Sequence, residues 1–513
     1  MVPALVVGAL ILLCTLAVLW VEAGHYTFAV DDPYIHLALA KNIFRGHYGI
    51  NPGEFSAPSS SLIWPFLMAP FAALPFAVAV PVLFNALCAF GSVSLFAATA
   101  DALIAGNSRA KRVWVIGLSL AFAVGTNQVG LALLGMEHSL QVLCAVWLIT
   151  LVIRDSKGLT TPPAWTIAAA IAAGPLVRYE MVGPSLLVAL YFVYRRRTLP
   201  ALLGLLIAFA ALGAFSLFLL ANGQGALPTS VLAKSGANPG QRVWQTALGN
   251  VVAQLHSGWA VILAFFGFGA LLYRSRKRIA QRDLPSVALL LCVLLGHLLV
   301  GRSGWFGRYE AYALAITYLL ALAIFADKIS EWALNPPSTT TVLALVGFAA
   351  LLSVRYAVIV VTTPLGALNV YQQQAQVARF VSDYYQKPVG VNDLGYVAWQ
   401  SNHYVLDFVG LASREAFLAR TTHEGEGGWV VPLAAAHDVH FAAIYDEWFH
   451  NLPGSWLRCG WLHLGSKRLT AAGDTVAFYA LDPETRATLK PQLAAWALTL
   501  PPNVRFEFAE GCH

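Results

Sequence analysis

The chain has 513 residues, of which only 11% are charged, against about 25% in ordinary soluble domains, and 58% are hydrophobic. These proportions exclude a disordered chain, a basic nucleic-acid-binding protein and an ordinary cytosolic enzyme, and no nucleic-acid partner is expected. The formal net charge of +6 is no sign of a polyanion partner, because excess Lys and Arg in a membrane protein marks its cytoplasmic loops.

The length allows about a dozen spans plus one modest soluble domain. Apolar runs lie near residues 3–22, 78–104, 113–125, 138–153, 163–176, 182–194, 199–220, 257–273, 285–300, 311–326 and 339–361. Several are shorter than the roughly 20 residues a span needs, so their ends extend into the flanking polar residues. The first run has no Lys or Arg before it, and Val21-Glu22-Ala23 is a poor cleavage signal, so it is read as a span and not as a signal peptide. Residues 61–74, with Trp64, Pro65, Pro70 and Pro75 in or beside them, read as an interfacial helix.

Positive charge sets the expected topology. Arg109, Lys111 and Arg112 form one cluster, Arg154 and Lys157 a second, Arg195-Arg196-Arg197 a third, and Arg274, Arg276, Lys277, Arg278 and Arg282 a fourth. All belong on the cytoplasmic side. With the N-terminus cytoplasmic, about eleven transmembrane helices satisfy every cluster. The composition then shifts near residue 362. The expected fold is a polytopic α-helical membrane protein of a bacterial inner membrane. Residues 1–361 form its transmembrane part, and residues 362–513 a small periplasmic α/β domain.

In that domain, Val389 to Asn392, Tyr404 to Asp407, Phe441 to Ile444 and Thr475 to Phe478 read as strands, and residues 370–386 as a helix. Asn392-Asp393-Leu394-Gly395 is read as a tight strand-to-helix turn. Cys459 and Cys512 are the two cysteines outside the spans, and an oxidising periplasm permits a bridge between them.

This topology gathers the chemistry-bearing residues on the outer face: Asp31, Asp32, Glu54, Glu137, Arg178, Glu180, Lys234, Arg308 and Glu310. Two adjacent carboxylates, Asp31 and Asp32, directly follow the first span. Paired acids repel, which raises one pKa and suits a general base acting on a sugar hydroxyl. The same residues also suit the N-terminal cap of a helix over 33–44, and the two roles are compatible.

The stretch Asp31-Asp32-Pro33-Tyr34-Ile35-His36, then Asn42, Gly46 to Gly49, Asn51-Pro52-Gly53-Glu54 and Ser59 to Trp64 resembles the first periplasmic loop of GT-C membrane glycosyltransferases. It is most similar to the mycobacterial terminal arabinofuranosyltransferase type. Gly135-Met136-Glu137, Arg178-Tyr179-Glu180, Pro228 to Lys234-Ser235-Gly236, and Arg308-Tyr309 resemble further elements of that family, in order. Pro33, Tyr179 and Ala57-Pro58 depart from its pattern but leave the charged set intact.

The resemblance implies an inverting transfer of a sugar, arabinofuranose in the nearest type, from a polyprenyl-phosphate donor to a glycan, lipid or protein acceptor. The expected base is Asp31, with Asp32 as partner or alternate. Arg178, Lys234 and Arg308 are expected on the donor phosphate, where negative charge develops. Tyr34, His36, Asn51, Glu54, Glu137 and Glu180 are expected on sugar or acceptor, Glu137 and Glu180 alternatively orienting Arg178. No cofactor is assigned: a divalent metal suits this chemistry, but the sequence has no HExxH, paired CxxC, Walker A or GxGxxG pattern to support one. The competing reading is a transporter or flippase of lipid-linked sugars, which places charges near mid-membrane and often has two related halves. This chain has no internal repeat.

Overall fold

The computed structural model describes residues 1–106, 109–235, 243–257, 259–275, 280–422, 427–449 and 451–510. Each of the eleven apolar runs has become a helix. Among the described residues, seven helices are long and apolar enough to cross a membrane, and one bent pair, Trp244–His256 with Ala260–Tyr273, brings the number to eight if it is a single span. Ala164–Val177 and Val182–Tyr194 are apolar but shorter than a full span. The fold is thus that of a multi-pass helical membrane protein carrying a small sheet domain.

The chain divides into two compact units. The first is Met1–Cys14, Val82–Ala214 and Gly236–Val361, and the second is Thr15–Pro81, Phe215–Ser235 and Thr362–His513. In the first unit, His138–Ser156 and Ala311–Leu334 pack on each other and are the most buried of the long helices. Thr198–Ala221, by contrast, turns Leu199, Leu206 and Leu217 outward. Apolar side chains exposed along an apolar helix are what a lipid-facing surface requires. The basic clusters are not bare: Lys111 pairs with Asp101, Lys157 with Asp283, Arg195 with Asp155 and Arg282 with Asp327. The positive-inside rule concerns Lys and Arg and not net charge, so these pairs leave it intact.

The second unit contains a six-stranded sheet in the order β2-β1-β3-β5-β4-β6. Its strands are β1 (Val389–Val391), β2 (Val405–Asp407), β3 (Phe441–Ile444), β4 (Leu457–His463), β5 (Thr475–Ala480) and β6 (Arg505–Phe508). β1 pairs in parallel with β2 and β3, and the remaining pairings are antiparallel. Four strands match those expected; β4 and β6 were missed. β1 and the helix Gly395–Gln400 are joined by the tight turn read at Asn392 to Gly395.

The boundary drawn at residue 362 follows composition, whereas the compact unit also takes in the loop after the first apolar helix. One hydrophobic core holds Ile35, Leu39 and Ile50 of that loop together with Val389, Phe441 and Phe478 of the sheet. The loop carries the helix Asp32–Phe44, which packs on Gly395–Gln400. Residues 61–74 are shorter in helix than expected: Trp64–Met68 followed by a 3-10 turn, Ala69–Phe71. Trp64 is fully buried; Phe66 and Phe71 are the exposed aromatics there. Cys459 is buried in β4, and Cys512 lies outside the described residues, as does the proposed bridge.

Candidate functional site

In the second unit, Asp31 occupies the N-terminal cap position of the helix Asp32–Phe44 but makes no side-chain capping bond. Its carboxylate reaches instead to the start of the helix Gly395–Gln400. Oδ1 accepts the Tyr396 N–H at 2.8 Å, and Oδ2 accepts the Gly395 N–H. Asp31 is 7% exposed, and Asp32 is half-buried. The opposing carboxyl is Asp393, whose Oδ2 accepts from Gln374 Nε2 at 2.6 Å; Gln374 also donates to the Tyr445 hydroxyl at 3.0 Å.

Burial raises the pKa of Asp31 well above the carboxylate range, and the charge and hydrogen bond of Asp393 raise it further; the two backbone amides act the other way. Burial also raises Asp393, while its bonds to Gln374 and Asp31 lower it. The shared hydrogen bond thus favours the neutral form of Asp31 and the charged form of Asp393.

A carboxyl whose pKa is higher folded than unfolded contributes stability at low pH and loses it as pH rises through the folded value. The melting temperature of the wild-type protein should therefore fall from mildly acidic to mildly alkaline pH. Asp393→Asn removes one charge from the pair and should flatten that slope. A residual slope comes from other buried carboxyls such as Asp407, whose pKa burial raises. Calorimetry of both proteins across that range checks this; identical slopes would sink the shared-proton assignment.

Other residues of the loop also turn toward the sheet. Asn51 is paired with Val405 like a short piece of strand: Nδ2 donates to the Val405 carbonyl at 3.0 Å, and Oδ1 accepts the Val405 N–H at 2.9 Å. Glu54 Oε2 accepts the Tyr404 hydroxyl at 2.7 Å. Tyr34 is 1% exposed; its oxygen accepts the Phe28 N–H, and its ring packs on Tyr396 with centroids 4.3 Å apart. His36 is buried, with Nδ1 at 3.2 Å from Ser59 Oγ. Tyr34, Asn51 and Glu54, expected on sugar or acceptor, thus also build the loop and fasten it to the sheet. The backbone of Lys234 lies in the helix Thr229–Ser235, and its side chain lies outside the described residues.

Arg178 and Arg308 belong to the first unit. Arg178 is 2% exposed and gripped by two carboxylates: Nη1 reaches Glu137 Oε1 at 2.5 Å, Nη2 reaches Glu180 Oε1 at 2.6 Å, and Nε reaches Glu180 Oε2 at 3.0 Å. Burial works against its charge, but Glu180 and Glu137 outweigh that effect and hold its pKa above the ordinary arginine range. The Arg178 guanidinium is thus ion-paired with a carboxylate on each side. Glu137 and Glu180 both contact Arg178, the residue they were alternatively expected to orient.

Arg308 is 1% exposed, and its contacts include Met136 Sδ, 2.8 Å from Nη1, the Tyr309 hydroxyl, to which Nη2 donates at 2.9 Å, and the Tyr309 ring, whose centroid is 4.9 Å from the guanidinium. The backbone before it is unusual. Gly304, Trp305, Phe306 and Gly307 all have positive φ, and Asn127, itself left-handed, donates from Nδ2 to the Phe306 carbonyl at 2.8 Å. A Cβ on Gly307 would meet the Tyr356 ring at 2.5 Å, so the turn requires glycine there. Trp305 and Phe306 in this region cost of order 1–3 kcal/mol each, a strain that persists where surrounding contacts over-determine it. Buried Glu310 supplies such contacts: Oε2 accepts the Gly304 N–H at 2.9 Å, and Oε1 accepts the Tyr356 hydroxyl at 3.0 Å.

Sequence reasoning assigned no role to Asp393, Asn127 or Glu310. Gly304 and Gly307 flanking an aromatic pair were the signal for the strained turn. Among the described residues, no group of three or more His, Cys, Asp or Glu side chains is placed to hold a metal ion.

Residues 367–479 match the model of a domain of unknown function, DUF8728. No curated protein matches the chain. Among solved structures, the chain is similar to the Archaeoglobus fulgidus oligosaccharyltransferase tethered to an acceptor peptide containing the NVT sequon, at 12% identity and a TM-score of 0.49, covering 98% of this chain and 76% of that one. It is similar to ArnT from Cupriavidus metallidurans at 11% identity and a TM-score of 0.48, covering 93% and 98%. It is similar to the arabinofuranosyltransferase AftD from Mycobacteria at 16% identity and a TM-score of 0.47, covering 93% of this chain and 41% of that one. All three scores lie below 0.5.

Proposed function

We propose that this protein is a membrane glycosyltransferase that moves a sugar from a polyprenyl-phosphate donor to a hydroxyl of a glycan, lipid or protein acceptor outside the bacterial inner membrane, with inversion. The resemblance of the ordered motifs favours arabinofuranose as the sugar. The observation that carries the reading is the Asp31-Asp32 pair. Asp31 is buried and fixed on two backbone amides, so its neighbour Asp32, half-buried, is the carboxylate with surface to offer an acceptor.

In this mechanism the acceptor oxygen attacks the anomeric carbon as the bond to the phosphate oxygen breaks. The hydroxyl proton passes to Asp32, and polyprenyl phosphate leaves. Asp31 is reassigned from base to positioning residue. Arg308, with Lys234, is assigned to the leaving phosphate, where fixed positive charge stabilises the developing negative charge. Arg178 holds Glu137 and Glu180 in place.

The test is incubation of the purified full chain, in detergent and in liposomes, with a panel of labelled polyprenyl-phosphate sugars that includes the arabinofuranosyl donor. Transfer should occur from one of them. Arg308→Ala should weaken it by about 2 kcal/mol of charge-assisted contact, roughly 30-fold. No transfer from any donor, together with movement of labelled lipid across the liposome bilayer, would replace this reading with a transporter.

A further inference from the structure

The helix Asp32–Phe44 has a second polar end. Lys41 lies nine residues beyond Asp32, about 14 Å along the axis at 1.5 Å per residue, too far for one small group to touch both. Beside it is a cavity of about 130 Å³, open to solvent, lined among others by Lys41, Arg45, Asn51, Ser401, Asn402 and His403. All belong to the second unit, half from the loop and half from the segment between the helix Gly395–Gln400 and β2.

The electrostatics of this cavity are one-sided. Lys41 Nζ donates to the Trp399 carbonyl at 3.3 Å, and among the described residues no carboxylate pairs with Lys41 or Arg45. Lys41 is half-buried, and its pKa is lowered by burial and by the charge of Arg45. Arg45 is exposed at the cavity's edge, and two neighbouring cations, one of them half-buried, are stabilised by an anion between them. A helix C-terminus accounts for basic residues in its last turn, but not for a cavity lined by them and by an amide, a hydroxyl and an imidazole. The volume corresponds to about four water molecules, enough for an oxyanion on a single polar ring.

We propose that this cavity is a binding site for an oxyanion carried on a saccharide unit, a sugar phosphate or a sugar acid, held by Lys41 and Arg45 with Asn402 at its rim. The site lies apart from the reacting carboxylates; the anion is argued from the cavity itself, and its place on a saccharide rests on the proposed function.

The experiment is ligand-observed NMR on the detergent-solubilised full chain, with inorganic phosphate and glucuronate as probes and glucose as the neutral control. The wild-type protein should bind at least one anion, and at least tenfold less tightly when Lys41→Gln and Arg45→Gln are combined. Asn402→Asp, at an exposed position, should lower affinity in the same direction and serves if the double variant fails to fold. Arg308→Ala should leave this binding intact, which separates the pocket from any donor-phosphate site. Binding should weaken with added salt. A preference between the two probes distinguishes a phosphorylated from an acidic sugar. Equal anion binding by wild type, the double variant and Asn402→Asp, or a preference for glucose, would overturn the proposal.

Discussion

Asp32→Asn is expected to lower the rate of sugar transfer by about 10²–10⁴-fold while donor binding is retained, because a positioned general base contributes on that order. Asparagine keeps the size of the side chain but takes up no proton from the attacking hydroxyl. Asp31→Asn should behave differently. It places an amide NH₂ against either the Gly395 or the Tyr396 N–H, leaving one buried donor without its acceptor. The expected cost is about 1–3 kcal/mol of stability, with turnover of the folded protein much less affected. Single-turnover transfer, donor binding and thermal unfolding measured on both variants separate the two roles. A larger chemical defect in Asp31→Asn than in Asp32→Asn would return Asp31 to the place of base.

Gly395→Ala is expected to be among the most damaging single-methyl additions in the protein. The new Cβ would lie 2.6 Å from Asp31 Oδ2 and closer still to the Asp31 carbonyl oxygen, with a backbone atom on the crowded side that has little room to retreat. Overpacking of this kind costs about 1–3 kcal/mol or more. It also separates the carboxylate from both amides, so stability and transfer should fall together. Gly428→Ala, where nothing lies within 4 Å of the added carbon, provides the control and should match wild type. Limited proteolysis should cut the Asp31 loop faster in Gly395→Ala. Wild-type melting and turnover in that variant would mean that the contact between Asp31 and the turn does not organise the loop.

The helices were legible because a lipid-spanning helix needs an uninterrupted apolar run, and hydropathy reads that directly. The sheet was legible only in part. Phe441–Ile444 is a short, fully buried apolar strand with a clear signature. Leu457–His463 places Arg458 and Gly460 where alternation should hold, and its register shifts between those residues. Arg505–Phe508 is four residues at the sheet edge with every other residue exposed.

The Asp31-Asp32 loop stood out as chemically important, but the roles within it did not. Asn51 and Glu54 look like sugar ligands when read alone. Their partners, Val405 and Tyr404, lie about 350 residues away in sequence. Asp393 does sit in the tight turn read from its neighbours; nothing local signals that its carboxyl faces Asp31. Arg178 was legible as a cation near the membrane, while its neutralisation by Glu137 and Glu180 depends on three elements meeting.

The fastening of the loop to the sheet domain is unequal in kind. At Asp31 and Asn51, the loop contributes side chains, and the domain contributes main-chain groups of Gly395, Tyr396 and Val405. Main-chain amides are the same whatever side chain follows them. Gly395 apart, the domain's face of these contacts can therefore change its amino acids freely as long as its backbone path is kept, whereas the loop cannot give up Asp31 or Asn51 without losing its grip. A saturation library over both segments should be tolerant at Tyr396 and Val405 to changes that preserve packing, and intolerant at Asp31 and Asn51. Chimeras should follow the same rule: a foreign domain of the same backbone geometry is accepted, and a foreign loop is not.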